Sequence, residues 1–327
     1  MRIFYQELKN RFETILLKHN FSAIKAALCS QIFAQNSLDG VYSHGLNRFP
    51  VFVGHVQNGL AKPEAEPEVL SSNGALAHWN GHLAPGMYNA SLAMKEAVNL
   101  AKTNGIGCVS IKNTNHWMRG GTYGWLAADA GCIGICFTNT IANMPPWGGK
   151  EPRLGNNPLV IAVPKEGGHL VLDMAISQYS YGKLQEYQLK NEALPYPGGY
   201  DQDGNLTTNA EAIRKTERAL PIGLWKGSGL SLMLDVLLTA LTGGKSTKEI
   251  TASGKESGVS QTFIAIHQPD LHQNLIEQII AFTKSSAVDE SGGKIWYPGE
   301  KTLITRKKNT TEGIPVNEEI WEAVQKL

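Results

Sequence analysis

The run Pro158-Leu-Val-Ile-Ala-Val-Pro164 is followed, after Lys165-Glu-Gly-Gly168, by His169-Leu-Val-Leu-Asp-Met174. Each half is a short aliphatic, β-branched stretch closed off by proline or glycine, which is how a buried strand reads. Four linking residues, two of them glycine, suit a hairpin and are far too few for a crossover helix. The two strands are therefore antiparallel, and the sheet that holds them cannot be purely parallel.

Outward from this hairpin the rhythm stays mixed. Upstream, Gly105-Ile-Gly-Cys-Val-Ser-Ile111 and the run from Cys132 to Thr138 read as further strands, with a short helix near Gly124 to Asp129 between them and a longer helix over about 86 to 103 before them. Downstream, a polar loop from Tyr196 to Asn205 leads to the strongest helical pattern of the chain. Leu230, Met233, Leu234, Leu237, Leu238 and Leu241 follow i, i+3, i+4, i+7, i+8, i+11, and Gly243-Gly244 end the run. A strand over Gln261 to Ile266 and an amphipathic helix carrying Leu275, Ile279 and Phe282 come next. The chain ends are helical. Leu8, Phe12, Ile15 and Leu16 share one face, Ser22 caps a second helix with Ile24, Leu28 and Ile32, and Asn317 caps a last helix with Ile320, Trp321 and Val324. Pro63 and Pro67 mark an extended connection and a first domain boundary. The expected class is α/β (α+β) with helical ends.

Composition narrows the function. The 327 residues are 42% hydrophobic and 18% charged, with 30 basic and 29 acidic side chains. A net charge of +1 argues against binding nucleic acid by phosphate neutralisation, and the hydrophobic content argues against disorder. Cys29, Cys108, Cys132 and Cys136 have no Cys-x-x-Cys spacing and read as small buried hydrophobes rather than zinc or disulfide partners. No run approaches the ~20 apolar residues of a spanning helix, and the N-terminus lacks the apolar core of a signal peptide. A soluble, cytoplasmic protein with no membrane and no nucleic-acid partner is expected.

Several nucleotide and metal motifs are excluded. Gly227-Ser-Gly229 has Leu232 where a dinucleotide fingerprint needs its third glycine, and Gly244-Lys-Ser246 has Thr239 where a phosphate loop needs its first. Asp201 to Asn205 lacks the glycine and glutamate positions of a calcium loop and reads as a solvated turn. The histidines outside the segments discussed next, among them His78 and His82, have no ligand spacing, so no metal is expected.

Three segments could carry chemistry. In the first, Ser43-His44-Gly45 lies close to Arg48. An arginine clamps a carboxylate and a histidine moves a proton near neutral pH, which suits reduction of a carbonyl beside a carboxylate; a solvated surface loop is the other reading. In the second, Asn113-Thr-Asn-His116-Trp-Met-Arg119-Gly-Gly121 follows a buried strand, where α/β enzymes place active groups. Its asparagines could fix the His116 tautomer and its glycines could admit a ligand. In the third, Trp225-Lys226-Gly-Ser-Gly229 opens the Leu-rich helix, as an anion site or as an ordinary cap by Ser228.

Together these segments resemble the malate/L-lactate dehydrogenase-like family of NAD(P)-dependent oxidoreductases, whose fold is not the Rossmann fold. The residues that carry the resemblance are Tyr42-Ser-His-Gly45 with Arg48, Asn115-His116 with Gly120-Gly121, Gly155-Asn-Asn-Pro158, Asp173-Met174, Trp225-Lys-Gly-Ser-Gly229 and Pro298-Gly-Glu300, in order from about residue 3 to the end. Met144-Pro-Pro-Trp-Gly148 and Asn47-Arg-Phe-Pro50 look like those of the family's sugar-acid reductases. The resemblance implies a helical domain of residues 1–74 joined by roughly 302–327, and a central NAD-binding domain over 75–301 with a mixed or antiparallel sheet. It implies a homodimer whose subunits both shape the cofactor cleft, a small-molecule sugar-acid substrate, and NADH (NADPH being the other candidate) as cofactor. His44 would be the proton donor, with His116 in the acid/base position of ureidoglycolate-type relatives. Ser43 and Arg48 would meet the substrate, Arg48 taking its carboxylate. The cofactor would contact His169, Leu170, Val171, Leu172, Asp173, Met174, Ala175, Trp225, Lys226, Gly299, Glu300 and Lys301. The alternatives are another 2-keto or 2-hydroxy acid (malate, lactate, ureidoglycolate), a cyclic imino acid, or a non-catalytic ligand-binding protein.

Overall fold

The computed structural model describes residues 1–288 and 293–327. The chain opens with strand β1 (Arg2–Ile3) and helices α1 (Tyr5–Lys18) and α2 (Ala23–Leu38). Two 3-10 turns, Tyr42–His44 and Leu46–Arg48, lead into α3 (Phe49–Gln57). Then come β2 (Glu68–Asn73), β3 (Leu76–Asn80), α4 (Gly86–Asn104), β4 (Ile106–Thr114), α5 (Gly121–Asp129) and β5 (Cys132–Thr138). They are followed by β6 (Leu159–Val163), β7 (Leu170–Met174), α6 (Tyr181–Lys190), β8 (Gly199–Tyr200), β9 (Leu206–Thr207) and α7 (Ala210–Thr216). The last third holds α8 (Trp225–Thr242), α9 (Thr247–Ala252), β10 (Val259–His267), α10 (Gln273–Lys284), α11 (Glu300–Glu312), β11 (Ile314–Pro315) and α12 (Glu318–Lys326).

Seven strands form one sheet in the order β2-β3-β4-β10-β5-β6-β7. Only β3 and β4 run parallel; every other neighbouring pair is antiparallel, so the sheet is mixed as the hairpin required. That hairpin pairs Leu159 with Met174 and Val163 with Leu170. β10 arrives late in the chain yet sits between β4 and β5, where alternate residues face opposite layers. Phe263 and Ala265 pack with Val109, Ile111 and the alanines of α4, while Ile264 packs with Phe137, Leu234 and Leu238 on the α8 side.

The two chain ends build a second core. Leu8, Phe12, Ile15 and Leu16 of α1 are buried as the spacing predicts, against Phe33 of α2, Phe49 and Phe52 of α3, and Trp321 and Val324 of α12. Phe12 stacks on Phe49 at 4.1 Å, and Phe33 meets both edge-on. β1 pairs with β11, Ile3 opposite Ile314, and ties the ends together. Ser22 and Asn317 cap α2 and α12 as expected, accepting from Lys25 and Ile320 amides.

Some faces turn out otherwise. In α2 Ile32 is buried and Leu28 packs on the core as expected, beside Ala26, Cys29, Phe33 and Ala34, but Ile24 is 76% exposed. In α10 only Ile280 is buried, and Leu275, Ile279 and Phe282 face outward. Met233 and Leu237 of α8 also point out while Leu234 and Leu238 point in, so that Leu-rich pattern has two apolar sides. Asp201 to Asn205 is the tight turn joining β8 and β9, closed by the Asn205 amide on Asp201 Oδ1 at 2.9 Å. The four cysteines are free, and three of them are fully buried.

One buried charge network joins the two cores. Asp39, at the end of α2, is 1% exposed and accepts from Arg119, from Arg306 Nε at 2.7 Å and from Arg306 Nη2 at 2.9 Å. Arg119 precedes α5, and Arg306 belongs to α11. Removing the carboxylate strands the Arg119 guanidinium away from solvent, a loss that for a buried pair typically costs about 3–5 kcal/mol, whereas exposed pairs contribute about 0–1 kcal/mol. Asp39→Ala should therefore lower unfolding free energy by about 3–5 kcal/mol in urea denaturation, against under ~1 kcal/mol for Glu186→Ala on the surface of α6. Equal midpoints for the two variants would contradict this.

Candidate active site

His44 is placed by its backbone. Asn36 on α2 donates from Nδ2 to the His44 carbonyl at 2.9 Å, and Thr122 on α5 donates to Asn36 Oδ1 at 2.9 Å. The next residue must be glycine, because a Cβ at Gly45 would stand 2.8 Å from the Ser37 amide nitrogen and 3.0 Å from the Phe33 carbonyl. The chain thus turns against α2 within one residue of the imidazole, whose Nδ1 lies 3.0 Å from Ser43 Oγ.

His116 is placed from the other core. Asn115 is the anchor: its Nδ2 donates to the Leu83 carbonyl at 2.8 Å, its Oδ1 accepts from Ser257 at 3.0 Å, and its carbonyl accepts from Gln261 at 2.9 Å. The tautomer is set by a backbone group rather than by the flanking asparagines. The Met118 amide donates to His116 Nδ1 at 3.0 Å, so the neutral ring carries its proton on Nε2. Gly120 and Gly121 likewise serve the fold rather than a ligand, since Cβ atoms there would meet Val160, Trp117 and the Asp173 carboxylate. That carboxylate accepts from the Gly121 amide at 2.8 Å and so occupies the start of α5.

The structure brings the first two segments together. The His44 and His116 rings lie nearly parallel, 15° apart, with centroids at 5.7 Å. Burial, then the charges of Arg48 and Arg119, push His44 down to about 4. Burial, then Arg48 and His44, hold His116 well below the ordinary value. Both imidazoles are neutral at pH 7. Arg48 acts on both and also on His55 and Glu256. Glu256, in the loop between α9 and β10, was not singled out from sequence. Burial raises its carboxyl, while Arg48 and the Ile141 amide pull it back. Its polar loop carried no pattern that marked it.

The segments expected around a cofactor are tied to one another by backbone hydrogen bonds. β7 is the last strand of the sheet, and the Val171 amide donates to the Pro298 carbonyl at 2.9 Å. Gly299, at φ 97°, comes so close that a Cβ would stand 3.0 Å from the His169 carbonyl. At the other end the Ile222 amide donates to the Ile176 carbonyl at 2.9 Å, which sets Trp225 and Lys226 beyond Met174 and Ala175. Ser228 is inside α8, not its cap, and accepts from the Trp147 amide at 2.9 Å.

Several of these side chains are already engaged. His169 is held by the Lys165 amide and Asp129, Asp173 by Gly121 and Arg119, and Glu300 by Lys284. Trp225, Lys226 and Lys301 are exposed, and Trp125 Nε1 is buried beside His169 with no hydrogen-bond partner among the described residues. Aromatic surface, two lysines and a spare donor are the chemistry a phosphate-bearing dinucleotide needs, so the donor set fits one.

A family model described as malate/L-lactate dehydrogenase matches residues 3–325. The chain belongs to that family. It is 42% identical over 333 residues, covering all of both chains, to a 2,3-diketo-L-gulonate reductase of Citrobacter koseri. Among solved structures it is similar to malate dehydrogenase from Pyrococcus horikoshii, at TM-score 0.90 and 30% identity over 100% of this chain and 94% of that one. Sulfolactate dehydrogenase from Methanocaldococcus jannaschii gives TM-score 0.90 at 28% identity, over 100% and 96%. A member of this dehydrogenase family is an oxidoreductase, which sets aside the non-catalytic alternative.

The depressed histidines make the acid limb of stability specific. A ring with an ordinary value near 6.5 when unfolded and about 4 when folded contributes fully above about pH 6.5. That contribution is lost as pH falls toward about 4, at up to roughly 1.4 kcal/mol per pH unit per ring. Urea midpoints measured from pH 7.5 to 4.5 should fall less steeply in His44→Gln than in the unmodified chain. Parallel curves would show that His44 is not held neutral.

Proposed function

We propose that this family member catalyses the NADH-dependent reduction of 2,3-diketo-L-gulonate at its C2 carbonyl, giving 3-keto-L-gulonate (3-dehydro-L-gulonate). The observation that carries the reading is the pair of parallel, neutral imidazoles beside Arg48, in a chain 42% identical over its full length to a reductase of that name. A nicotinamide dinucleotide, held along β7 by Trp225, Lys226 and the Gly299 turn, supplies the hydride when bound. Every other step belongs to the chain's own residues.

Arg48 takes the substrate carboxylate by paired hydrogen bonds. The arriving negative charge offsets the field of Arg48 and Arg119, which depresses His44 before substrate binds, and lets the ring take up a second proton from solvent. His44 then delivers the proton to the oxygen that becomes an alkoxide, while Ser43 holds its Nδ1 side. His116 carries its own proton on Nε2, and because each ring's positive charge disfavours the other's, the pair carries at most one positive charge.

Two further expectations belong to this reading. The outer side of α8 leaves Leu232, Met233, Val236 and Leu237 between 41% and 53% exposed, next to Leu224 at 41% and Trp225 at 64%. Such a continuous apolar strip supports a homodimer packed through α8, with the cofactor residues at its edge. No helix among the described residues is long and apolar enough to cross a membrane, and a cytoplasmic enzyme is proposed.

The test is NADH consumption followed by absorbance, with 2,3-diketo-L-gulonate beside pyruvate, oxaloacetate and a cyclic imine. NADH should be lost with the diketo acid, and His44→Ala should cost about 10²–10⁴ in turnover. Turnover restricted to another keto or imino acid would discard the sugar-acid assignment, and near-normal rates in both His44→Ala and His116→Ala would discard the proton donors.

A further inference from the structure

The chain between β7 and α8 forms a unit with its own small core. Its ends meet, with Ser177 bridging Pro221 and the Gln178 amide donating to the Leu220 carbonyl at 2.7 Å. Leu184, Leu194, Ala210, Ile213 and Ala219 are buried within it, apart from the sheet. Its helix α6 starts at Ser180, which caps it by accepting from the Lys183 amide, and is tied down by the Tyr181 hydroxyl on the Asn143 carbonyl at 2.7 Å.

Between those anchors lies Gly182. A Cβ there would stand 2.7 Å from both Cβ and Oγ of Ser43, and 3.9 Å from His44 Cε1. Distances under 3.0 Å are not tolerated, and the obstruction includes Ser43 Cβ, which cannot swing away without moving the backbone. Glycine weakens a helix relative to alanine, so nothing in α6 itself asks for it. The close approach to Ser43 does.

We propose that Gly182 is a positioning residue for the proton donor, its missing side chain letting the first turn of α6 roof the Ser43–His44 pair, keep the serine hydroxyl on His44 Nδ1 and hold water off the ring. The catalytic meaning rests on the function proposed above; the steric and hydration consequences do not. The groups facing His44 are Ser43 beside it, Arg48 from the next turn, and His116 and Arg119 from the loop after β4. From α6 itself, Tyr181 is spent on Asn143, and Lys183 is paired with Glu186 at 2.9 Å. What α6 adds at His44 is therefore exclusion of water rather than charge.

The experiment is Gly182→Ala in the full chain, read in two ways. NMR titration of His44 without substrate should show its value rising by a unit or more from about 4 toward 6.5, because the displaced helix lets water in. Turnover should fall tenfold or more while KM for NADH stays put. Ser43→Gly removes the obstructing atoms, so adding Gly182→Ala to it should change turnover less than twofold. A folded Gly182→Ala that titrates like the unmodified chain, or losses that multiply in the double variant, would overturn the proposal. Should Gly182→Ala alone not fold, the double variant must fold as Ser43→Gly does; its failure would place the clash elsewhere and overturn the proposal too. An unmodified chain that reduces none of the acids would refute the proposed function and leave the titration result standing.

Discussion

Asp39 is the point on which the rest of this molecule depends. A carboxylate at 1% exposure is sustained only because two guanidiniums converge on it, Arg119 from the sheet side and Arg306 from α11. Three distant parts of the chain are thereby fixed to one another: the end of α2, the turn into α5 and helix α11. The same Arg119 reaches Asp173 at 3.6 Å, and Asp173 occupies the first amide of α5. The network runs without a break from the helical ends through to β7, which carries five of the twelve residues proposed for the cofactor.

That network decides where the two imidazoles meet. His44 follows Asp39 by five residues and hangs from α2 through Asn36; His116 precedes Arg119 by three and hangs from β4 through Asn115. Holding Asp39 against Arg119 leaves the rings little freedom except to face each other. The arrangement also explains the local electrostatics. Arg48 acts on His44, His116 and Glu256 alike, whereas Arg119, paired with Asp39, adds to it at His44, so the field common to the site is that of Arg48.

Much of this was legible from residue order, for physical reasons that can be named. The strands β4 to β7 and β10 are apolar on both faces, because helices cover both sides of the sheet, so they stand out as short apolar runs. The hairpin at Lys165 to Gly168 announced the antiparallel edge. β2 was not legible: every residue of it is exposed, so no alternation marks it. α6 was hidden by a tyrosine and a glycine in its first turn, and α10 is the helix its pattern marks but with its apolar stripe facing outward. At the site, the residue types at 43, 44, 48 and 116 were readable, but not the bonds that orient them. The Met118 amide on His116 and the Gly182 approach to Ser43 depend on backbone geometry, or on contacts between segments more than a hundred residues apart, that spacing does not encode.

A proton donor that is neutral before substrate binds needs a physical reason to become useful. With His44 near 4 and His116 also held well below the ordinary value by burial, few rings are charged at neutral pH, and an uncharged imidazole is a poor acid. In the proposed reaction the reason is the substrate itself. A carboxylate on Arg48 removes a principal charge opposing protonation, and hydride arriving at a carbonyl creates an alkoxide that favours a cation beside it. Acid strength would then appear only when an anionic keto acid is in place. A neutral ligand of the same shape would leave both rings neutral and the carbonyl unprotonated. Discrimination for acids over neutral ketones would thus come from the depressed histidines as much as from the arginine that binds them.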